Sequence, residues 1–194
     1  MIEQIERIVN QGIDSLRISL DVYWPAKDPN DMAERNLTVH VAHSFLKSGW
    51  CVYHEASFPN DANRRLDMLS FNPETKTFVA VESKILQDGT RAMSIAGDAE
   101  RVKIFKPEAY LNSKMGFGLL LAATWSEEMK DWWKQEEDHR SPPQGSAGEG
   151  WEPLGKYLDR YKAICRARWL QDDDEAKDEY QTQWALYAIF KIHG

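Results

Sequence analysis

Arg65-Leu66-Asp67-Met68-Leu69-Ser70-Phe71 and Thr77-Phe78-Val79-Ala80-Val81-Glu82-Ser83-Lys84 are two strand-like runs joined by Asn72-Pro73-Glu74-Thr75-Lys76. The joining residues carry turn-forming chemistry, so the chain is predicted to fold back here as a β-hairpin. With Phe71 opposite Phe78, Leu69 faces Ala80, Asp67 faces Glu82 and Arg65 faces Lys84. Side chains alternate with period two along a strand, so all eight are predicted to share one face. Two carboxylates then confront each other.

Like charges directly opposed across a strand pair destabilise it, and two acids on a mostly apolar surface do not both stay ionised without a compensating cation. Lys84, two residues from Glu82 on the same face, supplies one positive charge. A hard divalent ion with oxygen ligands fits the remaining gap. The competing reading puts Asp67 and Glu82 at a solvated strand end, with Lys84 and Arg65 as surface partners.

The chain has 194 residues, 42% hydrophobic and 28% charged, which suits one globular domain over 1–194 with a substantial core. No apolar run approaches the roughly 20 residues needed to span a bilayer. The start, Met1-Ile2-Glu3-Gln4, lacks a basic-then-apolar export signal, so a cytoplasmic protein with no membrane partner is expected. Cys51 and Cys165 are the only cysteines, too few for a disulfide framework or a thiolate zinc cluster, and both read as buried thiols. The net charge of -7 argues against a chain that coats nucleic acid nonspecifically, so any nucleic-acid contact is expected to be local. Local basic clusters remain at Arg64-Arg65, at Arg91 with Arg101, Lys103 and Lys106, and at Arg160, Lys162, Arg166 and Arg168, each read first as a solvated edge.

Ile2, Ile5, Ile8 and Val9 predict a short helix to about Asn10, with Gly12 where it would stop. Leu16 to Trp24 fits a strand or an irregular arm. From Asn30-Asp31 to about Ser48 a helix is expected, with Leu37, Val39, Val41, Ala42, Phe45 and Leu46 on one arc and Asn36, His40, His43 and Lys47 on the other. Glu34 falls on the apolar arc. Either it points toward Asp67 and Glu82, or Asp31 and Glu34 form a capping box, and one residue can serve both.

Trp50 to Phe58 alternates as a half-buried strand. Thr90 is the expected cap of a helix from Arg91 to Lys106, ended by Pro107. Met115 to Trp125 reads as a strand covered on both faces, and Ser126 to about Asp138 as a helix. Ser141 to Gly150 reads as a surface loop and Pro153 to Leu170 as a helix by spacing. The acidic run Asp172-Asp173-Asp174-Glu175 reads as solvated. Gln181 to Ile192 fits a last strand or a helix.

The order of helix with Glu34, strand, strand with Asp67, strand with Glu82-Ser83-Lys84, helix and buried strand resembles the PD-(D/E)xK nuclease superfamily. Asp67 matches its Asp and Glu82-Ser83-Lys84 its acid-x-Lys, across roughly 31–125, while Leu66 stands in place of the eponymous Pro. The resemblance implies an α/β, restriction-endonuclease-like αβββαβ core: a central mixed sheet flanked by helices, with additions before it and a helical and strand extension over about 126–194. It further implies that Asp67 and Glu82 hold magnesium or manganese. The Ser83 backbone carbonyl would help, with Glu34 acting directly or through water and Lys84 orienting or helping to deprotonate the attacking water. Ser94 and Arg101, on the following helix, are then candidate phosphate contacts.

The function expected from this resemblance is metal-dependent hydrolysis of phosphodiesters in nucleic acid, DNA before RNA, by a chain that acts alone, as a homodimer or with a partner subunit. The rivals are a non-catalytic interaction protein keeping the fold and a nuclease subunit whose DNA affinity comes from a partner. His40 and His43 have a metal-binding spacing but no third ligand, and their polar arc favours a solvated pair. The eight Trp residues offer base stacking, with packing between helices and sheet the commoner use.

Overall fold

The structure, a computed structural model, describes residues 1–22, 34–58, 61–107, 111–135, 140–143, 149–171 and 183–193. In chain order its elements are α1 (Ile2–Val22), α2 (Glu34–Lys47), β1 (Cys51–Phe58), β2 (Asp61–Asn72) and β3 (Thr77–Ile85). These are followed by α3 (Gly89–Ile104), β4 (Met115–Thr124), α4 (Glu127–Lys134), α5 (Trp151–Arg160), β5 (Ile164–Gln171) and β6 (Gln183–His193). The strands form one mixed sheet in the order β1-β2-β3-β4-β6-β5. Only β3 and β4 run parallel; the other neighbours are antiparallel.

The hairpin has the predicted register: Phe71 opposite Phe78, Leu69 opposite Ala80, Met68 opposite Val81. Its turn is held by the Asn72 side chain, whose Oδ1 accepts the N–H groups of Glu74 and Thr75 at 3.0 Å each. Beyond Met68 the regularity ends. Leu69 and Phe71 pack with Phe78 and Ala80 in one layer, and Met68 packs with Val79 and Val81 in the other, yet Leu66 returns to the first. In β1, Val52 sides with Met68 and Ala56 with Leu66. The alternation therefore slips by one residue at Glu55, which has a φ of 52°, and at Asp67 across from it. The single eight-residue face predicted for the hairpin thus fails at its end: Arg65 is exposed and pairs with Ser57 of β1, not with Lys84.

One face of the sheet carries α3, α4 and α5, whose Ala92, Ala99, Val102, Trp132, Trp133, Trp151 and Leu158 pack on Phe78, Leu120, Leu186 and Phe190. The other carries α1 and α2 through Ile5, Val9, Ile13, Leu37, Val41 and Phe45. Fully covered strands read as continuous apolar runs, which is why β4 is recognisable from sequence. Gly118 in β4 is bare because a Cβ there would meet the Phe190 ring at 2.3 Å and Val102 at 2.7 Å. Tryptophans 50, 132, 133 and 151 are buried, in keeping with packing rather than display.

Several expectations are corrected. Gly12 does not end the first helix, which continues to Val22 through Leu16, so that region is neither strand nor arm. Gly12 instead marks a close approach, since a Cβ there would sit 2.7 Å from the Val41 Cα. Gly12→Ala is accordingly expected to push α1 from α2 and cost about 1–3 kcal/mol, read as a lower denaturant midpoint. Val39 and Leu46, assigned to the apolar arc of α2, are each 54% exposed, because the buried stripe is the narrower Leu37, Thr38, Val41, Ala42, Ser44 and Phe45.

The cap of α3 is Asp88, whose Oδ1 accepts the Arg91 N–H at 2.8 Å, not Thr90. The helix predicted over Pro153 to Leu170 is two elements, α5 and the edge strand β5, separated by a turn in which Lys162 has a φ of 48°. Cys165 accordingly lies in a strand, and Cys51 is exposed rather than buried. Gln181 to Ile192 resolves as strand over Gln183–His193. Asp31 of the capping box, residues 144–148 of the predicted loop 141–150 and the acidic run 172–175 lie outside the described residues. Among the described residues no helix is long and apolar enough to cross a membrane.

A candidate active site at the end of β3

Glu82, Ser83 and Lys84 lie near the end of a largely buried strand, β3, with β2 on one side and β4 on the other. The paired residues of β2 and β3 stop at Met68 and Val81, and from there a side chain replaces the ladder: Asp67 Oδ2 accepts the Ser83 N–H at 2.8 Å. Glu34, the first residue of α2, approaches from the opposite layer. Its Oε1 accepts the Ile85 N–H at 3.1 Å, and its carbonyl accepts the Ser83 hydroxyl at 3.3 Å and the Thr38 hydroxyl at 3.3 Å. An acid on the core-facing arc of α2 is therefore accounted for by β3, which it reaches.

The Lys84 ammonium lies 3.7 Å from Glu34 Oε2 and 3.6 Å from Asp98 Oδ2. Burial works to lower its pKa but is outweighed by Asp98, then Glu34, Asp67 and Glu82, so the net displacement is upward and Lys84 stays charged. Arg101, one helical turn beyond Asp98, places one nitrogen, Nη2, 3.0 Å from Glu82 Oε1 and 2.7 Å from Asp98 Oδ1. Ser94 lies on the same stripe of α3, one turn before Asp98, and is half-buried. The structure thus brings together Glu34, Asp67, Glu82 and Lys84, turns Arg101 inward onto the acids, and adds Asp98.

Glu82 is 2% exposed. Burial first, then Asp67, pushes its carboxyl up to about 8, with Arg101 opposing and Asp98 adding to the rise. The close contact with Arg101 does not restore full ionisation because the same nitrogen serves Asp98. Burial likewise raises Asp98, against Arg101 and Lys84. One guanidinium is shared between two enclosed acids.

Three features suit these residues to a hard divalent cation. The donors are carboxylate oxygens, as such an ion prefers. Among the described residues the four acids Glu34, Asp67, Glu82 and Asp98 face the two bases Lys84 and Arg101, and with Glu82 ionised one doubly charged ion would balance the excess. Asp98 Oδ2 is buried and has no hydrogen-bond partner. Among the described residues no three His, Cys, Asp or Glu side chains stand as a ready-made metal cage. The pairings explain this: the Ser83 and Ile85 amides hold Asp67 and Glu34, and Arg101 stands between Glu82 and Asp98.

Several of the other predicted groups have structural partners. His40 Nδ1 lies 3.0 Å from the Ser15 hydroxyl, and His43 is exposed. Arg166 and Arg168 bind Glu6 and Asp14 of α1 at 3.1 and 2.7 Å, fastening the edge strand to that helix. Lys103 reaches the Ile192 carbonyl at 3.1 Å. Comparison with protein-family models, with curated protein sequences and with solved structures finds no match to this chain.

Proposed function

We propose that the chain is a metal-dependent nuclease of PD-(D/E)xK type, hydrolysing phosphodiester bonds in nucleic acid, with DNA the favoured substrate. The observation that carries this reading is the meeting of Glu34 from α2 with Asp67, Glu82 and Lys84 from the β2–β3 hairpin around the end of β3. The succession α2–β1–β2–β3–α3–β4, with β3 and β4 parallel, supports a restriction-endonuclease-like core.

In this reading Asp67 and Glu82 hold magnesium or manganese, with the Ser83 carbonyl and Glu34 assisting. The ion, when bound, lowers the pKa of water and neutralises charge on the phosphate. Lys84 acts as a cation rather than a base: Glu34 and Asp98 hold its proton on, so it orients water and stabilises charge developing on the phosphate oxygens. Glu34 braces that ammonium while its other oxygen is fixed by the Ile85 amide.

A non-catalytic interaction protein is the second reading, favoured by the net charge of -7 and by the α1 acids that absorb Arg166 and Arg168. A nuclease subunit that borrows DNA affinity from a partner reconciles the charge with the site. Incubation with plasmid, linear and single-stranded DNA plus magnesium or manganese separates these readings. Cleavage by the wild type and none by Asp67→Ala is the expected result; equal cleavage by both would remove the site.

A further inference from the structure

Arg101 Nη2 lies within 3.0 Å of two carboxylate oxygens, Glu82 Oε1 and Asp98 Oδ1, from different elements. Both acids are almost fully enclosed, at 2% and 3% exposure, whereas the Arg101 side chain is 33% exposed. A divalent ion binds carboxylate oxygen at about 2.0–2.6 Å, so each acid need move in by only about 1 Å to close on an ion at the position of that nitrogen. The guanidinium occupies a cation position, and its exposed flank gives it a way out. Asp98 also holds a second oxygen, Oδ2, buried and without a hydrogen-bond partner, beside Lys84 at 3.6 Å. This acid has unused ligating capacity on the site side of α3.

We propose that Asp98 is a further acid of the metal centre and that Arg101 is its built-in competitor, so that loading of the divalent ion and release of the guanidinium from Glu82 and Asp98 are one event. The inference rests on the metal-dependent reading above and adds a ligand and a control to it. Without metal, Arg101 is the cation between the two enclosed acids, so whatever negative charge they carry there is paired. With metal, the same guanidinium swings to the exposed side, where phosphate is the anion left for it to meet.

The test is Mn2+ binding by titration calorimetry at one pH to wild type, Arg101→Gln, Arg101→Lys and the double variant Arg101→Gln/Asp98→Asn, each checked for a cooperative melt. Arg101→Gln is expected to bind about tenfold tighter than wild type, Arg101→Lys to stay near wild type, and Asp98→Asn to cancel the gain. A second measurement reads the wild type itself and uses Arg101→Lys only for assignment. In the side-chain NMR spectrum of the wild type, the Arg101 Nε–H signal, assigned by its loss in Arg101→Lys, should shift and exchange faster with water on adding Mg2+.

Wild-type binding with no gain in Arg101→Gln, a gain that survives Asp98→Asn, or an Arg101 signal unmoved by saturating Mg2+ would each overturn the competition while leaving the nuclease reading intact. No Mn2+ binding by any form would overturn both. A purely structural Arg101 would lower stability on substitution without tightening metal binding.

Discussion

Lys84→Ala is expected to lower the cleavage rate by roughly 10²–10³-fold while Mn2+ still binds, as tightly as in the wild type or more so. Removing one well-placed electrostatic donor typically has an effect of that size on rate. The ammonium sits between Glu34 and Asp98, and its side chain is 23% exposed, so it is fixed by two acids rather than left to wander in solvent. Its loss removes a positive charge from among acids that attract metal, so affinity does not fall with rate. In the metal-free protein the surrounding acids displace its pKa upward, so Lys84 stands in the site as an ammonium. A rate within about threefold of wild type, measured at saturating metal, would take Lys84 out of the chemistry.

The second large effect is on stability. Glu82 titrates at about 8 in the folded chain, against an ordinary 4.5. Between those values the folded state holds a proton that the unfolded state has released, so raising the pH favours unfolding. The contribution is fully present below the unfolded value and lost as pH rises through about 8. Each pH unit in that window costs at most about 1.4 kcal/mol from this one group, and Asp98, displaced the same way, adds to the slope. Metal-free protein is therefore expected to lose melting temperature steadily from about pH 5 to pH 8, with Glu82→Gln much flatter. Manganese should raise the melting temperature of the wild type at pH 8 and leave Glu82→Gln unmoved. Parallel melting curves for wild type and variant across the window would place the titration elsewhere.

The hairpin and its acids were legible because local chemistry and global fold agree there. Asn72 makes the turn with its own side chain, and period-two alternation fixes which residues meet. Alternation carried the reading only to Met68, since nothing in the residue types announces the left-handed Glu55 that shifts the pleat. Asp98 was missed although the reasoning that singled out Glu34 applies to it equally. It lies three residues after Ile95 and four before Val102, on the buried arc of α3, where an acid requires a partner.

Gly12 misled because a glycine that lets two helices touch has the same letter as one that ends a helix. In the stretch after Pro153, helical spacing in α5 ran into a strand whose signature is Arg166 and Arg168 alternating with Cys165, Ala167 and Trp169. Five residues of alternation are outweighed by an adjoining helix unless the Lys162 turn is seen.

The parting of β2 from β3 beyond Met68 and Val81 has a mechanical result. Asp67 and Glu82 stand at a fork in a sheet and not on loops, so their separation is inherited from strands that β1 and β4 buttress on either side. Folding has then already met the entropic cost of arranging the acids, so under the proposed function an arriving phosphate would find the groups organised in advance.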